Sequence, residues 1–217
     1  MCFSLLASVA VGVPLTVAGA VTVKMARRRA ELPLALVPLL FGVQQLIEGV
    51  VWWSLHHNAA TLNSASSFVY TLFSHVLWPF FVPFTYLCME SARWRRKVLA
   101  AFLGVGAVVG SYGGFLVVDS PSPGRVTGSS IQYEMPPWYF VALYLLATCF
   151  SAFLSSEGLI KALGAAALVL ALISLWLYTT VFVSVWCFFS AILTGFICVH
   201  FLLQRTHRAV AVERVWA

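Results

Sequence analysis

The stretch FGVQQLIEGVVWWSLHH, residues 41–57, places a single carboxylate, Glu48, in the middle of an otherwise apolar run. Apolar runs of about 20 residues recur along the chain, and this is the length that a helix needs to cross the hydrocarbon core of a bilayer. The residues are 61% hydrophobic and only 9% charged, with a mean hydropathy of +0.94, whereas a soluble domain carries about 25% charged residues. The composition therefore predicts an all-α, polytopic membrane protein whose main partner is the lipid bilayer.

The hydropathy pattern predicts seven transmembrane helices in a single domain, residues 1–217. The connections are short except for residues 119–136, DSPSPGRVTGSSIQYEMP, whose Pro, Gly and Ser content predicts a loop. The sixth and seventh spans are divided only by a tight turn near Thr179 and Thr180, which is inferred from length. The predicted spans are 2–23, 33–56, 67–89, 98–118, 137–155, 160–179 and 181–203.

The positive charges predict the orientation of the chain. Twelve of the thirteen Lys and Arg residues fall on alternate connections, in KMARRR (24–29), in RWRRK (93–97), at Lys161 and in the C-terminal tail. Only Arg125 falls on the other side. Because Lys and Arg are retained on the cytoplasmic side, the N-terminus is expected outside and the C-terminus in the cytoplasm. The basic runs are thus determinants of topology, and no nucleic-acid partner is expected.

Glu48 is the one acidic residue predicted to lie deep in a span. It precedes the outer end of the second span, near His56, by eight residues, which is about 12 Å at 1.5 Å per residue. A carboxylate at that depth costs several kcal/mol unless it is protonated, paired or hydrated. His75 is expected at a similar depth in the third span, eight residues after Ser67, and is the predicted partner.

Two polar stripes are expected to face each other around this pair. Residues four apart lie on one face of a helix, which groups Gln44, Glu48 and Trp52 on the second span. Ser74, His75 and Trp78 share a face of the third span. The stripes predict a pocket that is open to the outside. Its predicted ligand-binding residues are Gln44, Gln45, Glu48, Trp52, Ser74, His75, Trp78 and Trp186.

Other segments are expected to complete the pocket. Cys2 begins the first span on the same side, and it becomes the N-terminal residue if Met1 is removed. The loop 119–136 is predicted to close over the opening as a lid. The remaining contributors are Ser184, Trp186 and Cys187 of the seventh span and Tyr133, Glu134 and Trp138 in or beside the loop.

Glycines and prolines predict the packing of the third and fourth spans. Gly106, Gly110 and Gly114 recur at four-residue spacing, which allows a neighbouring helix to approach closely. Pro79 and Pro83 are expected to kink the third span and to free backbone carbonyl groups.

The opening MCFSLLAS and the segment PLLFGVQQLIEGVVW, residues 38–52, resemble a family of small bacterial seven-span membrane proteins that begin Met-Cys-Phe/Trp-Ser. The resemblance covers mainly the first ~60 residues. It implies location in the bacterial inner membrane, and it implies no function.

Three classes of function follow from these residues. The first is a sensor, binding protein or transporter that takes a small ligand or ion into the pocket. The second is an intramembrane enzyme, with Glu48 or His75 as general base and Cys2 as nucleophile, or with zinc or copper held by Cys2, Glu48 and His75. The third is an accessory subunit in which the polar pair only fixes two helices. Because the cytoplasmic half offers little beyond Thr148, Ser151 and Thr194, sensing, binding or catalysis is favoured over transport.

Overall fold

A computed structural model describes residues 4–216, with side chains described for residues 4–205. The chain is helical throughout this range except for a small β-hairpin and short connections. The α-helices are α1 Leu5–Met25, α2 Leu32–His56, α3 Ala60–Leu72, α4 Trp78–Met89, α5 Arg93–Asp119, α6 Trp138–Thr148, α7 Gly158–Leu177 and α8 Phe182–Trp216. A π-helix, Phe73–Leu77, joins α3 to α4, and 3-10 helices cover Arg29–Glu31, Phe150–Leu154 and Thr179–Val181. The hairpin pairs β1, Arg125–Thr127, with β2, Ser130–Gln132.

Most helices have the length and apolar composition of membrane spans. Six helical segments within the described chain are long and apolar enough to cross one, and α6 with its 3-10 extension, Trp138–Leu154, is a shorter apolar segment. The expected all-α class is confirmed, and the break near Thr179 and Thr180 lies where length predicted it.

The helices pack side by side, and the connections gather at two ends. One end, called the basic end, holds residues 26–31, 90–92 and 155–157 together with most Lys and Arg side chains of the described chain. The other end, called the hairpin end, holds residues 57–59, 120–137 and 178–181. Contacts between α1 and α2 show the antiparallel packing, because a Cβ on Gly12 would meet Leu46 and one on Gly19 would meet Leu39.

The third helical rod, formed by α3, the π-helix and α4, begins seven residues earlier than predicted, at Ala60 instead of residue 67. Polar residues in its first turns bond back to the helix itself, since Ser64 Oγ donates to the Ala60 carbonyl and Ser66 Oγ to that of Leu62. His75 therefore lies fifteen residues from the start of the rod, about 22 Å along its axis. Eight residues were expected.

The prolines of the third rod meet the glycines of α5. Pro79 and Pro83 cannot donate to the carbonyls four residues before them, those of His75 and Pro79. A Cβ on Gly106 would overlap the Pro79 carbonyl oxygen, and one on Gly113 would lie 2.5 Å from the His75 oxygen. The freed carbonyl groups therefore point at glycine backbone, where weak Cα–H···O contacts are available.

The prediction of close approach is confirmed for Gly106 and for Gly110. A Cβ added to Gly110 would lie 2.9 Å from the Val76 carbonyl oxygen. The prediction is wrong for Gly114, where the added Cβ would only reach ordinary contact, 3.6 Å from Val76 Cγ2. Gly113 takes the third position because the two helices cross slightly out of step with a four-residue repeat.

A buried carboxylate ties two connections together at the basic end. Glu90 is 3% exposed, and its oxygens accept hydrogen bonds from the Ser91, Ala92 and Ser156 backbone N–H groups at 2.7–2.9 Å and from Ser156 Oγ at 2.8 Å. Burial by itself would raise the pKa of Glu90, but these donors outweigh burial and hold the pKa below its ordinary value.

Gly106→Ala should lower the free energy of unfolding by about 1–3 kcal/mol, because the new methyl group has no space against Pro79. Gly104→Ala is the matched control on the same helix, since nothing lies within 4 Å of its added Cβ, and it should be neutral or stabilising by up to about 1 kcal/mol. Thermal unfolding in detergent measures both. Equal effects of the two substitutions would contradict the close contact.

Glu90 should make stability depend on pH. Because its folded pKa is lowered, its contribution is complete above the ordinary value of 4.5 and is lost as the pH falls through the folded value. Glu90→Gln should cost about 1.5–3 kcal/mol at neutral pH and flatten the acid limb of the melting-temperature curve. The exposed neighbour Glu157 supplies the control, and Glu157→Gln should leave that limb as steep as in the wild type.

Candidate functional site

The Glu48 carboxyl group lies in the core, 1% exposed, between α2, α3 and α8. Ser184 Oγ of α8 donates to Glu48 Oε1 at 2.5 Å. The Tyr70 hydroxyl and the Gln45 amide also lie beside the carboxyl group, although neither makes a hydrogen bond of good geometry. Within the described chain no ion pair joins Glu48 to a cation. The carboxyl group is thus surrounded by neutral polar groups.

His75 is not the partner of Glu48, because its side chain points in another direction. The Trp78 indole donates to Gln44 Oε1 at 2.6 Å and stacks on Phe41 with ring centroids 3.8 Å apart. Since α2 and the third rod run antiparallel, Glu48, four residues after Gln44, lies opposite the two turns before Trp78. The Tyr70 hydroxyl, from those turns, lies beside the carboxyl group. His75 belongs to the same turns, but its Nδ1 lies against Ser74 Oγ and its ring packs on Phe140.

Aromatic and thiol groups close the site around Glu48. The Tyr70 ring stacks on Tyr133, which follows β2, with centroids 4.5 Å apart. The Tyr70 hydroxyl also lies beside the Cys187 thiol of α8, and Gln44 reaches the same thiol. These residues are called the Glu48 cluster: Gln44, Gln45, Glu48, Tyr70, Tyr133, Ser184 and Cys187.

The Glu48 cluster holds most of the unpartnered buried polar atoms of the described side chains. Five of the seven such atoms belong to it, namely Gln44 Nε2, Gln45 Nε2, Gln45 Oε1, Tyr70 OH and Tyr133 OH. A sixth, Trp52 Nε1, lies one helical turn beyond Glu48. Buried polar groups without a partner cost about 1–3 kcal/mol each, and native proteins hold few of them. Five such atoms gathered around one carboxyl group are therefore unusual for a packed core.

A separate pocket opens at the hairpin end. Its volume is about 430 Å³, within the range of small-molecule sites. Its walls come from α3, the end of α5 and the two chain segments that flank the hairpin. The lining residues are Ser64, Phe68, Thr71, His75, Leu116, Val117, Ser120, Pro121, Ser122, Pro123, Glu134, Met135, Pro136 and Pro137.

His75 lines this pocket from the π-helix. Its Nδ1 lies 2.7 Å from Ser74 Oγ, and its ring packs at a tilt against Phe140, with centroids 5.5 Å apart. The π-helix inserts an extra residue in the turn before Pro79, as shown by the bond from the Trp78 N–H to the Phe73 carbonyl. Such insertions turn side chains away from the regular helical face and are frequent at functional sites.

The segment that was predicted as a lid is anchored to α3. The Gly124 N–H donates to Ser67 Oγ at 2.9 Å, and Asn63 Nδ2 donates to the Gly124 carbonyl at 3.0 Å. A Cβ on Gly124 would lie 2.8–3.1 Å from Ile131, Val51 and Ser67 side-chain atoms. The segment, held at Gly124, forms a wall of the pocket, and its closing as a lid stays a prediction.

Two smaller cavities lie nearby, and the first adjoins the pocket at His75 and Pro136. The first, about 20 Å³, lies between His75, Ser74 and Cys187 and is bordered by Tyr144 and Trp186. The second, about 100 Å³, lies toward the basic end, is bordered by the same Tyr144, Trp186 and Cys187, and holds Thr148 and Thr194. The Tyr144 and Trp186 rings meet edge to face, with centroids 5.3 Å apart. These rings separate the two small cavities.

The predicted ligand-binding residues thus divide between two places. Gln44, Gln45 and Glu48 lie in the Glu48 cluster, whereas His75 faces the hairpin-end pocket. Ser74 and Trp186 border the cavity between them. The remaining two are buried, with Trp78 2% and Trp52 5% exposed, and Trp78 lines the cavity of about 100 Å³.

The expected metal and enzyme sites depend on a residue outside the described chain. Cys2 lies outside the described residues, so the proposed nucleophile and the zinc or copper site of Cys2, Glu48 and His75 stay predictions. From Ser4 to Arg205 no group of three His, Cys, Asp or Glu side chains is arranged to hold a metal ion.

Tyr70 is the residue that sequence reasoning missed. It lies three residues after Ser67 and four before Ser74, so the helical period placed it on the polar face of the third rod. A tyrosine in an apolar span is also typical of the membrane interface, so the sequence pattern alone does not single it out. Tyr133 was assigned to a lid, yet it is 2% exposed and reaches the core.

The fold and the two sites define a class of protein: an all-helical chain with helices that can span a membrane, a buried carboxyl cluster and a pocket at one end. Within that class the chain belongs to the DUF6629 family, a family of unknown function whose model matches residues 1–215. No curated protein and no solved structure matches it. Membership of a family without known function, expected from the first ~60 residues, is confirmed over nearly the whole chain.

Ser184→Ala should destabilise the protein by about 1–3 kcal/mol, because Glu48 loses its one short hydrogen bond in a buried site. Ser174→Ala is the matched control. Its hydroxyl group is also buried but has no partner, so its removal should be neutral or slightly stabilising. Thermal unfolding of both variants in detergent distinguishes a buried serine that makes a hydrogen bond from one that makes none. Similar losses of stability in the two variants would argue against the Glu48–Ser184 bond.

Proposed function

We propose that this protein is a seven-span protein of the bacterial inner membrane that binds a small organic cation in the hairpin-end pocket. In this proposal the N-terminus and the hairpin end face outside, and the basic end and the C-terminus lie in the cytoplasm. The distribution of Lys and Arg supports the orientation, because the described part of the chain gathers them at the basic end, leaving only Arg125 at the hairpin end.

The observation that carries the ligand class is the excess of hydrogen-bond acceptors in the pocket. Ser64 and Thr71 donate their hydroxyl hydrogens to backbone carbonyls one turn earlier, and Ser120 donates to Asp119. Each therefore offers a ligand only its oxygen lone pairs. Four further lining residues are prolines, which have no backbone N–H. A ligand that donates hydrogen bonds fits such a wall better than one that accepts them.

The charge of the pocket-lining residues also favours a cation as the ligand. Glu134 is the one formally charged side chain among the lining residues, and the pocket contains no Lys or Arg. The Phe68 ring supplies an aromatic surface of the kind that attracts a cation through its π face. A protonated amine or a quaternary ammonium ion combines both requirements, while an anion would face Glu134 without any basic partner.

The inner end of the pocket supports binding or sensing over transport. Beyond His75 the space narrows to about 20 Å³, which holds about one water molecule. The packed Tyr144 and Trp186 rings then close it. In this conformation a small organic molecule reaches His75 and goes no further.

The ligand class is tested by adding methylammonium, choline or putrescine to the purified protein and recording the melting temperature, with acetate and lactate as anions of similar size. At least one cation should raise the melting temperature with increasing concentration, as mass action requires, and the anions should not. Glu134→Gln should weaken the effect severalfold, and Thr71→Trp should abolish it by filling the pocket.

Glu157→Gln is the matched control, since Glu157 is acidic and exposed at the basic end and does not line the pocket. This variant should keep the wild-type response. If no cation stabilises the wild type, or if Glu134→Gln responds like Glu157→Gln, the proposed ligand class is wrong.

A further inference from the structure

The Glu48 cluster is separate from the cation pocket, and its unpartnered atoms have a chemical pattern. Gln44 Oε1 accepts from Trp78, so its amide orientation is set and Gln44 Nε2 must be an unpartnered donor. Gln45 adds an amide group with neither end bonded, and Tyr70 and Tyr133 add two hydroxyl groups. Donors thus outnumber acceptors around the carboxyl group.

Water is the partner that this pattern fits. A metal cation needs several oxygen ligands and would be repelled by the amide N–H groups. A water molecule accepts from N–H and O–H groups and donates to a carboxylate, and buried waters of this kind make about three hydrogen bonds to polar groups that otherwise lack partners. Bridging waters would connect Gln45, Tyr70 and Tyr133 to Glu48.

A path leads from this cluster toward the outside pocket. The Tyr70 hydroxyl lies beside both the Glu48 carboxyl group and the Cys187 thiol. Cys187 borders the cavity of about 20 Å³, whose other side is formed by Ser74 and His75. His75 in turn lines the hairpin-end pocket. Chains of hydroxyl groups and single waters can pass a proton, and a cavity of about 20 Å³ holds about one water molecule and excludes a larger ion.

We propose that the Glu48 cluster is a hydrated proton-binding site connected to the hairpin-end pocket through Tyr70, Cys187 and His75. When the site releases its proton, the Glu48 O–H bond breaks, a bridging water takes the proton, and a proton leaves from the other end of the path into the pocket. Uptake reverses these steps, and no oxidant or other reactant is needed.

The groups facing Glu48 allow both protonation states. From α2 come the Gln44 and Gln45 amides, from α3 the Tyr70 hydroxyl, from the segment after β2 the Tyr133 hydroxyl, and from α8 the Ser184 hydroxyl and Cys187 thiol. All are neutral donors or acceptors, and no cationic side chain of the described chain pairs with Glu48. A fixed cation would lock the carboxylate in its charged form, whereas neutral hydrogen-bonding groups can adapt to either form.

Infrared difference spectroscopy on the protein in lipid nanodiscs tests the proton site directly. Between mildly acidic and mildly alkaline buffer, the carbonyl band of a protonated carboxylic acid should disappear, and it should shift to lower frequency in deuterated water. The band should be absent in Glu48→Gln and unchanged in Glu134→Gln. A Glu48-dependent band that persists at all pH values, or no such band at any pH, overturns the proposal. If Glu48→Gln does not fold, Glu48→Asp replaces it and should move the band.

The path and the waters have their own measurements. After a rapid pH change, the Glu48 band should respond more slowly in Tyr70→Phe and in Cys187→Ala than in the wild type. Tyr139→Phe, which removes a hydroxyl bonded only to Tyr112 near the surface, should respond at the wild-type rate. Water labelled with heavy oxygen should shift a water O–H band in the wild type but not in Gln45→Met. Wild-type rates in both path variants would overturn the path. The absence of a labelled water band in the wild type would overturn the hydration.

This experiment uses no cation ligand, so its result is independent of the ligand class proposed for the pocket. Loss of cation binding in Glu134→Gln with an unchanged Glu48 band supports both proposals. A titrating Glu48 band in a protein that binds none of the cations supports the proton site alone.

Discussion

The hydrogen bond from the Trp78 indole to Gln44 sets the register on which the rest of the structure depends. With the stack of Trp78 on Phe41, it fixes how far the third rod is shifted along α2. At that shift Glu48 meets Tyr70, and His75 faces the hairpin-end pocket. Both partners of the bond are fully buried, where an indole N–H without an acceptor would be costly. The register is therefore strongly specified.

Prolines and glycines support the same arrangement from the other side of the rod. Pro79 ends the regular hydrogen-bond ladder, the π-helix absorbs the extra residue before it, and Gly106 and Gly113 let α5 approach the freed carbonyl groups. The π-helix also turns His75 toward the hairpin-end pocket. A single break in one helix thus serves both the packing of three helices and the placement of a pocket residue.

The segment after β2 connects the two sites. Tyr133 and Glu134 are adjacent in extended chain, so their side chains point to opposite faces. Tyr133 enters the Glu48 cluster, and Glu134 lines the pocket. Gly124, bonded to Asn63 and Ser67, holds this segment against α3. One short segment therefore supplies a residue to each site.

The sequence identified most residues of the Glu48 cluster, but it did not show which of their side chains contact each other. The helical period and the rarity of carboxylates in apolar spans singled out Glu48, and the same reasoning placed Ser184 and Cys187 near it. The partner was predicted wrongly because sequence depth does not show which way a side chain is rotated. The π-helix, Phe73–Leu77, turns His75 against Phe140, and Tyr70 meets the carboxyl group instead.

The sequence by itself determined the helical class, the apolar segments and the isolation of one deep carboxyl group, because hydropathy and period are local properties of a short window of chain. The tertiary structure alone decided which side chains meet. That outcome depends on the shift and rotation of one helix against another, and these are set by contacts between residues far apart in the chain, such as Gln44 with Trp78 and Glu48 with Ser184.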